Sequence, residues 1–183
     1  MIRVSDQSRR LRSRVGFTLV ELMVVVVIMG IVTVSVIPAM DNLGRIREGA
    51  ARDDLMRMLE IAKGRAAASG MPHGLQVNLN DSSATIVEIT SQGAIQVETD
   101  PLTNRNRTIS IPNLYSGVTM SSMINGDGVG GSGIIWFDFK SNPHTRTPQG
   151  DFVSLNSQVA SIELSSGEFI AVYPHSGMLE VQY

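Results

Sequence analysis

Glu21 is the residue whose type and position most need a chemical account. It lies within Phe17 to Met40, where 18 of 24 residues are Ala, Val, Ile, Leu, Met or Phe and the rest are Thr18, Glu21, Gly30, Thr33, Ser35 and Pro38. A carboxylate at the centre of a membrane helix costs roughly 2.5–3.5 kcal/mol on insertion scales, and less near an end, so such a residue is functional by default. No Lys or Arg lies within the run to offset it. The compensating charge must come from outside the segment, and the nearest source is a positive charge created at the start of the same helix in a neighbouring chain.

The other candidates are weaker. His73, His144 and His175 are far apart, and each lies beside a Pro or Gly turn. A metal site would need them to converge with support behind them, and loop or surface positions are expected instead. Asn125-Gly126-Asp127-Gly128 has the flavour of a calcium loop but lacks the later acidic ligands, so it reads as a glycine-permitted turn. No P-loop, dinucleotide fingerprint or nucleophile elbow is present, and the chain has no Cys. No catalytic residue, cofactor or metal ligand is assigned. Arg105, Arg107 and Arg146 would form a basic patch only if folding gathered them.

Charge is distributed unevenly over the elements that must position these residues. The net charge of −2 averages three unlike segments. Residues 1–16 hold five Arg and one acid, residues 17–70 balance six bases with six acids, and residues 71–183 hold four bases against ten acids. The apolar run would make about 36 Å of helix, enough for a hydrocarbon core of about 30 Å with some tilt. The basic leader ahead of it keeps the amino terminus on the cytoplasmic side. A small-residue secretory cleavage site is matched poorly around Ala39, so the segment is expected to be retained.

From Asp41 onward, Leu43, Ile46, Ala50, Leu55, Met58, Leu59, Ala62 and Ala66 form a helical stripe, closed by Gly70 and Pro72. The apolar run and this stripe read as one long helix bent near Pro38, which lacks a backbone donor. Beyond it, short alternating segments at 75–79, 84–90, 94–99, 107–111, 118–120, 133–139, 159–164, 168–173 and 178–183 predict strands. Residues 123–133 and 140–150 read as loops, and most aromatics fall from Trp136 onward to supply the bulky core. The fold class is therefore α+β: a long, partly transmembrane N-terminal helix followed by an antiparallel β-sandwich.

The segment RVGFTLVELMVVVVIMGIV, with a basic leader, Gly16, aromatic Phe17, Glu21 five residues after the junction, and a long apolar run, resembles the prepilin-type leader of type IV pilins and type II secretion pseudopilins. The Arg- and Ala-rich helix ending, the WFDFKSNPHTRTPQG stretch and the closing GEFIAVYPHSGMLEV hairpin resemble the GspH/FimT group of minor pseudopilins and minor pilins, with a pilin-like body. The resemblance implies that prepilin peptidase cuts between Gly16 and Phe17 and methylates the Phe17 amine. It implies that Glu21 is the assembly contact and Pro38 the helix bend. It gives residues 1–16 as leader, 17–40 as transmembrane and filament-core helix, 41–70 as its amphipathic continuation, and 71–183 as a periplasmic body.

The implied function is structural: a minor pseudopilin at the tip of a type II secretion pseudopilus that primes assembly and export. The alternative is a FimT-like minor type IV pilin in pilus assembly or DNA uptake. The chain is expected to be a substrate of the peptidase and not itself an enzyme. Its partners would be other minor and major pseudopilins or pilins, the peptidase and the inner-membrane assembly platform. DNA is not an expected partner, because the body is acidic and PHSGMLEVQY, at the carboxyl end, has no Lys or Arg.

Overall fold

The computed structural model describes residues 16–126, 131–155 and 158–182, with the backbone alone for 34–41. It divides into two compact units, Met1–Asp41 and Asn42–Tyr183. Helix α1 (Leu19–Ser69) contributes to both.

In the first unit the helix begins at a side-chain cap from Thr18. Thr18 Oγ1 accepts the Glu21 backbone N–H at 3.3 Å, and the Thr18 carbonyl accepts the Leu22 N–H at 3.2 Å. Thr-x-x-Glu at this position is the arrangement that satisfies the free donors of a helix start. Every described side chain from Gly16 to Thr33 is exposed. In the second unit α1 ends where Gly70, at φ +71°, donates its N–H to the Ala66 carbonyl.

The body begins with β1 (His73–Asn78) and β2 (Ser83–Ile89). Next come β3 (Ile95–Val97), β4 (Thr99–Asp100), β5 (Arg105–Asn106), β6 (Thr108–Ser110) and the short helix α2 (Ile111–Leu114). The chain continues through β7 (Met120–Ile124), β8 (Gly133–Phe137), β9 (Pro143–Arg146) and β10 (Phe152–Ser154). It closes with β11 (Ala160–Leu164), β12 (Phe169–Val172) and β13 (Leu179–Gln182). The larger sheet runs β10-β9-β8-β1-β2, and β3 and β6 share the outer edge of β2. The smaller sheet runs β13-β12-β11-β7, and β4 with β5 forms a separate ribbon. All pairings are antiparallel.

One core joins the second half of α1 to both sheets. The helix supplies Ala51, Leu55, Met58, Leu59, Ala62 and Ala66. The larger sheet contributes Leu75, Val77, Ile86 and Phe137 among others, and the smaller sheet Met123, Ile162, Leu164 and Ile170. Alternation places Trp136 on the opposite face of the larger sheet, where it meets Val87 and Ile89 and contacts Phe152 edge-on at 5.6 Å. A helix followed by an antiparallel β body is the α+β class expected.

Several expectations are corrected. Leu43 and Ile46 are exposed, and Ala51 is fully buried where Ala50 was expected to be, so the stripe that packs begins a turn later than the apolar pattern suggested. Residues 140–150 are not all loop: Pro143–Arg146 is β9, held by β8 and β10. Residues 123–133 open inside β7. The aromatic contribution to the core is narrower than expected: Trp136 and Phe137 are fully buried, whereas Phe139 is exposed.

Candidate functional site

Gly16, Phe17 and Thr18 lie ahead of α1 without regular structure, and none of the described residues stands within 4 Å of where a Gly16 side chain would be. Phe17 is 78% exposed. Both residues are thus uncovered by the described part of the chain. Glu21 is exposed in the first turn of α1, where the unpaired N–H groups and the helix dipole favour an anion. Beside it, Val20, Met23, Val24, Val27 and Ile28 line a shallow apolar groove.

The described apolar run extends from Leu19 to Thr33, about 22 Å of helix. Among the described residues no helix is long and apolar enough to cross a membrane. The remainder of the expected span, 34–40, has side chains outside the description. Helical backbone continues through Pro38.

The histidines separate into three environments. His73 is buried at the start of β1, not in a loop. Its Nδ1 lies 2.9 Å from the Met71 carbonyl, and its Nε2 lies 3.4 Å from Glu88 and 4.0 Å from Glu98. His144 lies in β9 with Nε2 3.0 Å from the Ser154 hydroxyl, while His175 is exposed in a turn at φ +69°. Among the described residues no group of three His, Asp or Glu side chains converges on a possible metal position. Gly126 takes φ +99°, a turn conformation that favours glycine, and Asp127 and Gly128 lie outside the described residues.

The sequence reading missed a buried charge cluster at the root of the β4–β5 ribbon. The chain leaves the edge of β2 at Glu98 and returns at Arg107: Ile86 accepts the Glu98 N–H and donates to the Arg107 carbonyl, and Arg107 donates to the Glu98 carbonyl. The Glu98 carboxylate is buried and takes the Arg65 Nε–H at 2.6 Å, with Arg107 Nε at 3.4 Å. Arg107 also faces Asp100 at 3.7 Å. The Leu102 backbone N–H, aided by the Arg107 guanidinium, holds the Asp100 carboxyl below the usual carboxylate range. A turn signal, Asp100-Pro101-Leu102-Thr103-Asn104, marks the ribbon in the sequence, but nothing there marks Glu98 as buried.

The three arginines considered for a basic patch do not share one. Arg105 and Arg107 line a depression with Arg57 of α1. Arg146 lines another, donates to the Gly93 and Gly150 carbonyls, and lies over the Phe152 ring.

Residues 12–37 match the prokaryotic N-terminal methylation motif. The structure is similar to that of the minor pseudopilin EpsH from the type 2 secretion system of Vibrio cholerae, with a TM-score of 0.51, 11% identity, and coverage of 74% of this chain and 94% of that one. A second crystal structure of EpsH from Vibrio cholerae aligns at TM-score 0.49 and 12% identity over 73% of this chain and 93% of that one. No curated protein sequence matches this chain. The chain thus carries the methylation motif and shares the fold of a minor pseudopilin, and the resemblance drawn from its sequence holds at those two levels.

Proposed function

We propose that this chain is a minor pseudopilin of a type II secretion system, a structural subunit of the pseudopilus tip that primes filament assembly and protein export. The observation that carries the reading is the combination, in one chain, of a methylation motif at residues 12–37 and a body with the minor-pseudopilin fold. The motif alone is common to pseudopilins and type IV pilins. The strongly acidic body and the separation of Arg146 from Arg105 and Arg107 argue against a DNA-uptake role.

In this reading residues 1–16 are removed by prepilin peptidase, and Phe17 becomes the methylated amino terminus. The new ammonium of one subunit offsets the Glu21 carboxylate of its neighbour as the two helices enter the filament. The apolar side chains exposed from Phe17 to Thr33 need lipid before assembly and neighbouring helices after it, since an exposed face of that size in water is costly. The chain is single-pass in the inner membrane, amino terminus cytoplasmic and body periplasmic. Pro38 bends the helix between its membrane and body halves. The assembly platform and the other pseudopilins are its partners, and it performs no catalysis.

Mass spectrometry of the membrane-bound protein should find a chain beginning at N-methylated Phe17. A chain retaining residues 1–16, or one beginning near Ala39, contradicts the reading. Glu21→Ala should leave processing intact and reduce incorporation into filaments by about tenfold, the order expected for losing a charge pair in an apolar setting. Undiminished incorporation rejects the pairing.

A further inference from the structure

Both ring nitrogens of His73 face oxygen. Nδ1 lies 2.9 Å from the Met71 carbonyl and 3.4 Å from the Ser69 hydroxyl, and Nε2 lies 3.4 Å from Glu88 Oε2 and 4.0 Å from Glu98 Oε2. The His73 and Glu98 side chains are each only 4% exposed, so water does not stand in for a missing partner. A neutral imidazole has one N–H and one lone pair. With the N–H on Nδ1, the Nε2 lone pair is turned toward two carboxylates. With the N–H on Nε2, the Nδ1 lone pair meets the Met71 carbonyl, and the more distant Ser69 hydroxyl does not relieve that repulsion. Only the imidazolium offers an N–H at both ends.

The surrounding charges leave this role to the ring. Glu88, opposite His73 on β2, has Oε1 occupied by the Gln96 side-chain amide at 2.5 Å. Arg65 of α1 and Arg107 approach Glu98 through Oε1, at 2.6 and 3.4 Å, and Arg107 also faces Asp100. Glu98 Oε2 is buried with no hydrogen-bond partner among the described residues. On the other side of β1, β8 sets Phe137 opposite His73, and the Asp138 carboxylate beyond it accepts the Lys140 and Asn142 N–H groups. An unmatched buried oxygen is costly, and a cation on Nε2 would offset that cost.

We propose that His73 is a proton-operated clasp. Its imidazolium, anchored on the Met71 carbonyl, draws Glu88 and Glu98 together and so ties the end of α1, β1, β2 and the root of the β4–β5 ribbon. Loss of the proton releases the two carboxylates. Because the protonated ring favours the folded body, the stability it gives is present in acid and lost as pH rises through the histidine range of about 5 to 8. The clasp lies wholly within the body and operates whether or not the chain enters a filament.

The test uses the full chain in a nonionic detergent with nitrogen-labelled histidine, whose ring-nitrogen NMR shifts report which nitrogens carry protons. His144→Gln and His175→Gln identify the His73 signals without altering the cluster. At about pH 6 both His73 nitrogens should be protonated, and on raising the pH to about 8 the proton on Nε2 should be lost while Nδ1 keeps its own. Urea unfolding is followed by Trp136, the chain's one Trp, buried opposite Gly74 of β1. The unfolding constant should rise about tenfold over the same range. Glu88→Gln gives Nε2 an amide donor in place of a carboxylate, so the rise should shrink to about twofold or less. A single ring proton on His73 at about pH 6, an unchanged ring from there to about pH 8, or an equal rise in wild type and Glu88→Gln would each overturn the proposal. The NMR measurement leaves the cluster intact and decides the matter even where Glu88→Gln does not fold.

Discussion

Glu98 is the residue with most at stake in the body. Its side chain is 4% exposed, one carboxylate oxygen is held by Arg65, and the other has no hydrogen-bond partner among the described residues. A buried carboxylate is stable only when paired, and removing one partner of a buried pair costs about 3–5 kcal/mol. Here Arg65 is 40% exposed and Arg107 retains Asp100, so Glu98→Ala should cost less, about 2–3 kcal/mol in urea unfolding. Glu98→Gln keeps an acceptor for Arg65 and should cost about 1 kcal/mol. Tyr115 is a second such case, because its hydroxyl donates to Asp54 at 2.5 Å, and that bond raises its pKa above the ordinary 10.0. A raised folded-state pKa gives a contribution fully present below the unfolded value and lost as pH rises through the folded one. Tyr115→Phe should therefore cost about 1 kcal/mol at neutral pH, and the gap should narrow in unfolding measurements as pH rises past the ordinary 10.0 and through the raised folded-state value.

At the scale of elements, β1 is the strand least able to tolerate change. It pairs with both β2 and β8, and Gly74 stands opposite Val87 and Trp136. A methyl group there would lie 2.8 Å from the Ile135 carbonyl oxygen and 2.8 Å from an Ile134 methyl. Backbone cannot yield without breaking the ladder, so Gly74→Ala should cost about 2 kcal/mol and lower the thermal midpoint by about 4–8 °C. The β4–β5 ribbon responds instead to acid. Asp100 has a depressed pKa, so the stability it gives the turn is present above its unfolded value of 3.8 and lost as pH falls through the folded value. Protection of the Leu102 amide, whose N–H the carboxylate holds, should fall on acidification below that range once exchange is corrected for its intrinsic pH dependence, and Asp100→Asn should weaken this dependence. These short elements were the least legible part of the fold. Strands such as 75–79 and 84–90 alternate over enough residues to declare themselves, whereas β4, β5 and β9 are two to four residues long and exist because neighbouring strands hold them.

For the whole molecule, the opposed charges of leader and body set the physical expectations. The leader holds five Arg and one acid in a chain of net −2, so a chain lacking residues 1–16 has a side-chain net of −6. That chain, purified in a nonionic detergent, should leave duplex DNA unretarded in gels at about 0.1 M salt, since phosphate binding needs clustered cations facing outward. The sequence alone determined the carboxylate-bearing apolar segment, the stop at Gly70 and the α+β class, because each follows from local chemistry: an acid set in an apolar run, a backbone needing φ above zero, a periodicity of 3.6 giving way to one of 2. Only the tertiary structure decided that His73 and Glu98 are buried, that Leu43 and Ile46 are not, and that Arg105 and Arg107 meet Arg57 and not Arg146. Those outcomes depend on partners distant in sequence, such as Arg65 and Glu98, which are 33 residues apart. A residue's type sets the cost of burying it, but the packing of helix and sheets selects which residues are buried.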